Sequence, residues 1–176
     1  MFYLLRQIVK TGIKTETYPE PDEALRATAQ RLQAEVLRRF AGALTIRHVD
    51  AGSCNGCELE INALGNPYYN LEGLGIKFVA SPRHADLLMV TGPVSRNMEV
   101  ALKRTYDATP TPKLVIATGD CGCTGGIFGE SYASCGRVSN VIPVDVAVPG
   151  CPPTPYAIMQ GILTAISLEK GDPQKT

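Results

Sequence analysis

The sequence predicts an α/β fold with a mostly parallel, open, flavodoxin-like sheet, and three observations carry that prediction. Short β-type apolar runs alternate with helical or loop segments along the chain. The 176 residues contain no internal repeat and suit one compact unit, at roughly 100 to 200 residues per domain. Three loops rich in cysteine and glycine each follow a predicted strand, which is the edge where an open α/β sheet binds ligands.

Residues 1–21 read as an amphipathic segment. In FYLLRQIVKTGIK, Phe2, Leu4, Leu5, Ile8 and Val9 recur at helical spacing, Arg6, Lys10 and Lys14 mark another face, and no acid precedes Glu16. Such a stretch suits a membrane surface or a partner protein, and packing on its own domain fits the periodicity equally well. The run Tyr18-Pro19-Glu20-Pro21 breaks it. A single domain is expected over residues 22–170, with a polar tail at 171–176. Asp22 is a good N-cap for a helix to about Phe40, whose stripe is Leu25, Ala29, Leu32, Val36 and Phe40. Strands are predicted over 44–49, 76–80, 87–91, 114–118 and 143–148. Helices are predicted over 58–64, 95–106 and 155–168, the last with Thr154 at its cap and Pro155 at its first position.

Composition removes several function classes. Lys+Arg and Asp+Glu both number 17, so no global field draws nucleic acid to the protein. The apolar runs fall far short of the ~20 residues that span a bilayer. Arg38 and Arg39 are followed only by AGALTI, too short a core for an export signal. A reducing compartment is therefore expected, where cysteines serve more often as ligands or catalysts than as disulfides.

The six cysteines divide by position. Cys54 and Cys57 follow the first strand in DAGSCNGCELEI, Cys121 and Cys123 the fourth in ATGDCGCTGGIFG, and Cys151 the fifth in DVAVPGCPPTP. Cys54, Cys57, Cys121 and Cys151 can thus converge on one metal centre. The glycines around them, Gly52, Gly56, Gly119, Gly125, Gly126 and Gly150, lack the Cβ that would collide with a bulky group. Pro152 and Pro153 set a rigid path beyond Cys151. Structural zinc sites of four cysteines usually carry two close pairs, whereas here one close pair joins two isolated cysteines. Spacing alone favours an iron-sulfur cluster while leaving zinc and redox thiols open. Cys123 shares a face with Cys121 if the loop is extended and departs from it if Gly122 turns tightly. Cys135, away from any strand end, reads as a small thiol outside the ligand set.

The motifs SCNGCELEI, SPRHADLLMVTG, GDCGCTGGIFG and VPGCPPTP, in this order, resemble the small subunit of membrane-associated, energy-converting [NiFe] hydrogenases, of the formate hydrogenlyase type. The resemblance covers residues 44–168. It implies that Cys54, Cys57, Cys121 and Cys151 bind one [4Fe-4S] cluster, proximal to a nickel-iron site that a large partner subunit holds. It further implies a ferredoxin-like two-cluster subunit and membrane-arm subunits as partners. The expected location is peripheral, on the cytoplasmic side of the cell membrane. The quinone-proximal cluster subunit of complex I is similar too, but has two adjacent cysteines where Asn55 and Gly56 separate Cys54 from Cys57 here. That separation favours the hydrogenase side, with a quinone- or sulfur-reducing complex as the alternative.

Five further residues invite a reading. Glu58 sits where a carboxylate is favoured by a helix N-terminus. Glu60 matches an acidic position of the complex I relatives, which suggests proton transfer or tuning of a cluster potential. Arg83 suits a membrane partner or an acid. His48 and His84 read as structural, since no carboxylate pattern for a metal accompanies them.

Overall fold

A computed structural model of the protein describes residues 2–12 and 19–168. Lys14, Glu16, Tyr18 and the tail predicted at 171–176 lie outside the described residues. The strands β1 (Leu44–Asp50), β2 (Ile76–Phe78), β3 (Leu87–Thr91), β4 (Leu114–Thr118) and β5 (Val146–Val148) form one parallel sheet in the order β2-β1-β3-β4-β5. The chain reverses its direction across the sheet between β1 and β3, and a crevice opens at their carboxyl ends. Register aligns that edge: Asp50 stands opposite Thr91, and Thr91 opposite Thr118.

Among the described residues six α-helices accompany the sheet: α1 (Phe2–Thr11), α2 (Glu23–Phe40), α3 (Gly56–Ala63), α4 (Arg96–Ala108), α5 (Gly119–Thr124) and α6 (Pro155–Ser167). Every residue of β3 and β4 is buried, because parallel strands covered on both faces must be apolar on both. Leu87, Met89 and Ile116 join a core with Leu32 and Val36 of α2, Ile61 of α3, and Ile158 and Ile162 of α6. Leu88, Val90 and Val115 face the other way, toward Leu102 of α4. Leu32 is fully buried, so Leu32→Ala should cost about 2–5 kcal/mol.

The predicted elements all form; β3 and β4 keep their predicted bounds, and ends shift elsewhere. Thr154 caps α6 as expected, accepting from the Ala157 amide at 3.2 Å. Asp22 occupies the cap position of α2 without a side-chain cap bond. β5 begins three residues late because Pro143 has no N–H to pair and Asp145 closes the ladder with its side chain, accepting from the Val115 amide at 2.8 Å. β2 ends at Phe78, and the chain then leaves the sheet toward a short turn at Pro82–His84. The helix α5 stands where the sequence predicts a loop; its glycines conceal it, and Gly125 ends it in the left-handed conformation. α1 forms where an amphipathic segment is predicted, but none of its side chains is buried, so packing on its own domain is the reading that the structure sets aside.

Candidate metal centre

Three loops at the carboxyl edge are each held by a local device. After β1, Asp50 Oδ1 accepts from the Gly52 and Ser53 amides, both at 2.8 Å. Ser53 Oγ in turn accepts from the Asn55 amide at 3.0 Å. These bonds curl the chain so that Cys54 stands on the loop and Cys57 in the first turn of α3. After β4, α5 begins at once and carries Cys121. A reciprocal pair joins it to the loop after β5: the Asp120 amide donates to Gly150 O at 2.8 Å, and the Gly150 amide donates to Asp120 Oδ1 at 2.7 Å. Cys151 follows that staple directly.

Cys54, Cys57, Cys121 and Cys151 therefore line one cavity of about 150 Å³, with Ser53, Gly56, Gly92, Asp120, Gly150 and Pro152. Two glycines are required by sulfur. A Cβ on Gly119 would stand 2.6 Å from Cys57 Sγ, and one on Gly126 would stand 2.7 Å from Cys121 Sγ. Both also hold positive φ, +84° and +55°, which disfavours any side chain. Burial, followed by Glu58 and the other three thiols, pushes Cys57 up to about 12. Burial and then Cys151 and Cys54 raise Cys121, so the four sulfurs are close enough to repel one another as thiolates.

The donor set is all sulfur around a void. Among the described residues no three His, Cys, Asp or Glu side chains converge as a single ion would require. Four thiolates on one zinc, at 2.3 Å each, would stand about 3.8 Å apart. Four thiolates are also the donor set that an iron-sulfur cluster takes. The hydroxyl of Thr118, one residue before Gly119, is buried with no partner among the described residues.

Glu58 does more than face a helix terminus. Its Oε2 accepts from Ser53 Oγ at 2.6 Å, its Oε1 accepts from the Thr91 hydroxyl, and His48 Nε2 lies 3.5 Å from Oε1 and 2.9 Å from Thr91 Oγ1. One carboxylate thus ties the cysteine loop and α3 to β1 and β3. Burial lowers the pKa of His48, against the pull of Glu58 and Asp50; the sequence places no carboxylate pattern beside it, whereas the fold brings Glu58 there. Glu60 is half-buried and makes no hydrogen bond or ion pair among the described residues. Arg83 and His84 are exposed. The neighbouring acid, Asp86, serves β1 instead of Arg83, accepting from the Thr45 amide at 2.9 Å and its hydroxyl at 2.6 Å.

The two remaining cysteines point elsewhere. α5 turns by about 200° over two residues, so Cys123 leaves the cavity and donates to Ala117 O at 3.4 Å; burial pushes it up to about 11. Cys135 is buried and donates to Glu99 Oε2 at 3.3 Å. Sequence reasoning misses Thr91, Asp120 and Ser53. A signal exists for the first, a polar residue closing the apolar run LLMVT, and a weaker one for Asp120, an acid beside a cysteine in a glycine-rich turn.

Residues 54–165, which contain all four cavity cysteines, match the family described as NADH ubiquinone oxidoreductase, 20 Kd subunit. The chain belongs to this family. It is an oxidoreductase-complex subunit of the 20 kDa type shared by complex I and hydrogenases. Formate hydrogenlyase subunit 7 of Escherichia coli is 44% identical over 137 residues, 78% of this chain and 54% of the relative. The chain thus spans about half the length of that relative. The probable membrane-bound hydrogenase subunit mbhJ of Pyrococcus furiosus is 50% identical over 119 residues, 68% of this chain and 71% of the relative. An NADH-quinone oxidoreductase subunit of Desulfovibrio desulfuricans is 47% identical over 107 residues, 61% of this chain and 58% of the relative. A solved structure of the membrane-bound sulfane sulfur reductase, an archaeal respiratory membrane complex, aligns with a TM-score of 0.64 at 34% identity, covering 80% of this chain and 78% of that one.

Proposed function

We propose that this chain is the electron-relay small subunit of a membrane-associated [NiFe] hydrogenase complex of the formate hydrogenlyase type. In this reading Cys54, Cys57, Cys121 and Cys151 hold one [4Fe-4S] cluster. The observation that carries it is the convergence of four thiols from three strand-end loops on one glycine-walled cavity. A bound [4Fe-4S] group would supply one-electron transfer. The chain's own residues do the rest: Asp50, Ser53 and Glu58 fix the first two ligands, and the Asp120–Gly150 staple fixes the other two. Gly119 and Gly126 leave room beside the sulfurs.

Partners follow from the surface around the cavity. Cys54 and Cys151 are exposed, and Leu59, Ile127, Phe128 and Tyr132 stand out into solvent on the adjoining helix and loop. Apolar surface of this kind marks a protein interface, here one for the large subunit that carries nickel and iron. A ferredoxin-like two-cluster subunit would exchange electrons with that core, and membrane-arm subunits would anchor it. No helix of the described residues is long and apolar enough to cross a membrane, in keeping with a peripheral position.

Purified under anaerobic conditions, the protein should contain roughly four iron and four acid-labile sulfide per chain and give a paramagnetic signal on reduction. Zinc without sulfide would overturn the reading. The second reading, a complex I-related quinone- or sulfur-reducing complex, is favoured by the likeness to the sulfane sulfur reductase structure. Nickel analysis of the complex pulled down with this chain separates the two: bound nickel supports the hydrogenase, and a nickel-free complex supports the alternative.

A further inference from the structure

The first helix carries an apolar stripe that finds no core. Phe2, Leu4, Leu5, Ile8 and Val9 of α1 are all exposed, Phe2 to 86% and Val9 to 84%. At 100° per residue the five occupy an arc of about 160°. Arg6, Lys10, Gln7, Thr11 and Tyr3 fill the remainder. Leaving such a stripe in water is unfavourable, so a covering surface is expected, and the charge pattern says which kind. Residues 2–12 contain two cations and no acid. α2 is the contrast: its Leu25, Leu32 and Val36 are buried, and its polar positions mix Glu23 and Glu35 with Arg26, Arg31, Arg38 and Arg39. A polar face of one sign beside an unburied apolar face complements an anionic bilayer surface.

Length fixes the orientation. The ten residues of α1 rise about 15 Å, half the ~30 Å of a hydrocarbon core, so the helix can lie in the interface but cannot span it. Arg6 borders the apolar arc, where its stem can follow the apolar surface while its head reaches phosphate, and Lys10 stands farther round on the polar arc.

We propose that α1 is an in-plane anchor for a surface of anionic phospholipid. Phe2, Leu5, Ile8 and Val9 enter the boundary between headgroups and acyl chains, and Arg6 and Lys10 pair with lipid phosphates. The anchor stands on α1 alone, so it can fail while the electron-relay reading holds, and the reverse.

The chain contains no tryptophan, which permits a direct test on the full chain. Phe2→Trp should move its emission to the blue and saturate with vesicles of equimolar phosphatidylglycerol and phosphatidylcholine, and far less with phosphatidylcholine alone. Gln7→Trp, on the polar arc, should stay solvent-like. In the Phe2→Trp background, Arg6→Glu with Lys10→Glu should weaken binding roughly 20-fold or more, at about fivefold per cation, and Ile8→Asp should lower it to the neutral-vesicle level. Iron content and the unfolding midpoint should match across these variants, since none alters a buried side chain. Equal response to the two vesicle types, no response to either, or indifference to charge reversal would overturn the anchor. So would a helix that ignores lipid and cross-links to another subunit in the assembled complex.

Discussion

Two sets of thiols share this fold and differ in what surrounds them. Cys54, Cys57, Cys121 and Cys151 border a cavity whose walls are glycine and whose neighbours are other sulfurs. Cys123 and Cys135 pack in the core between the sheet and α4, each with an oxygen acceptor already in place. A cysteine that has filled its hydrogen-bonding capacity in a packed core behaves as a small apolar residue. The other four stand around a void that the proposed cluster would fill.

The strongest way to break this contrast is to exchange the sets. Cys57→Ser should reduce bound iron to background, whereas Cys135→Ala should keep it all; iron analysis of the two purified variants decides, and equal iron in both would dissolve the distinction. The next largest effect concerns reactivity in the metal-free chain. A thiol pushed up to about 12 is almost wholly protonated at pH 8, so Cys57 should alkylate roughly 100-fold more slowly than an ordinary thiol, after allowing for its higher intrinsic nucleophilicity. Its rate should climb as pH rises toward that value, because only the thiolate attacks. Exposed Cys54 and Cys151 should be labelled first, and mass spectrometry that finds Cys57 among the first labelled would show that the cavity is open.

Smaller changes probe the walls. Gly119→Ala puts a methyl 2.6 Å from Cys57 Sγ at a φ of +84°; iron retention during dialysis should fall about tenfold, and retention like that of the unaltered protein would count against a ligand role for Cys57. Glu58→Ala removes the carboxylate acceptor of the buried Thr91 hydroxyl, leaving it only Val49 O at 3.5 Å and the His48 ring, and frees Ser53. Denaturant unfolding should show a loss of about 1–3 kcal/mol, and an unchanged midpoint would mean that the network does not brace the loop. Cys135→Ala should cost the least, about 1–2 kcal/mol by the same measurement.

Much of this architecture is legible in the residues alone. The five strands are visible because buried parallel strands are short apolar runs, such as LLMV and LVIA, set between glycines, prolines and acids. The four candidate ligands are visible because each lies just past the end of such a run. Boundaries are less so: β5 loses its first residues to Pro143 and to the side chain of Asp145, a competition that local pattern does not display. Local pattern reads Glu58 as a carboxylate at a helix terminus, whereas its partners Thr91 and His48 come from β3 and β1, 33 and 10 residues away along the chain.

The sequence by itself determined the order of elements, the open parallel sheet and the edge at which the cysteines gather, since these follow from periodicity and from the chain's need to bury each apolar run. Only the tertiary structure separated Cys121 from Cys123. A single glycine separates the two in sequence, and it is the short helix α5, seated on β3, β4 and β5, that turns one into the cavity and the other into the core. Only the fold, likewise, left the stripe of α1 without a core. Local pattern specifies which face of a helix is apolar, and the assembled neighbours decide whether anything covers it.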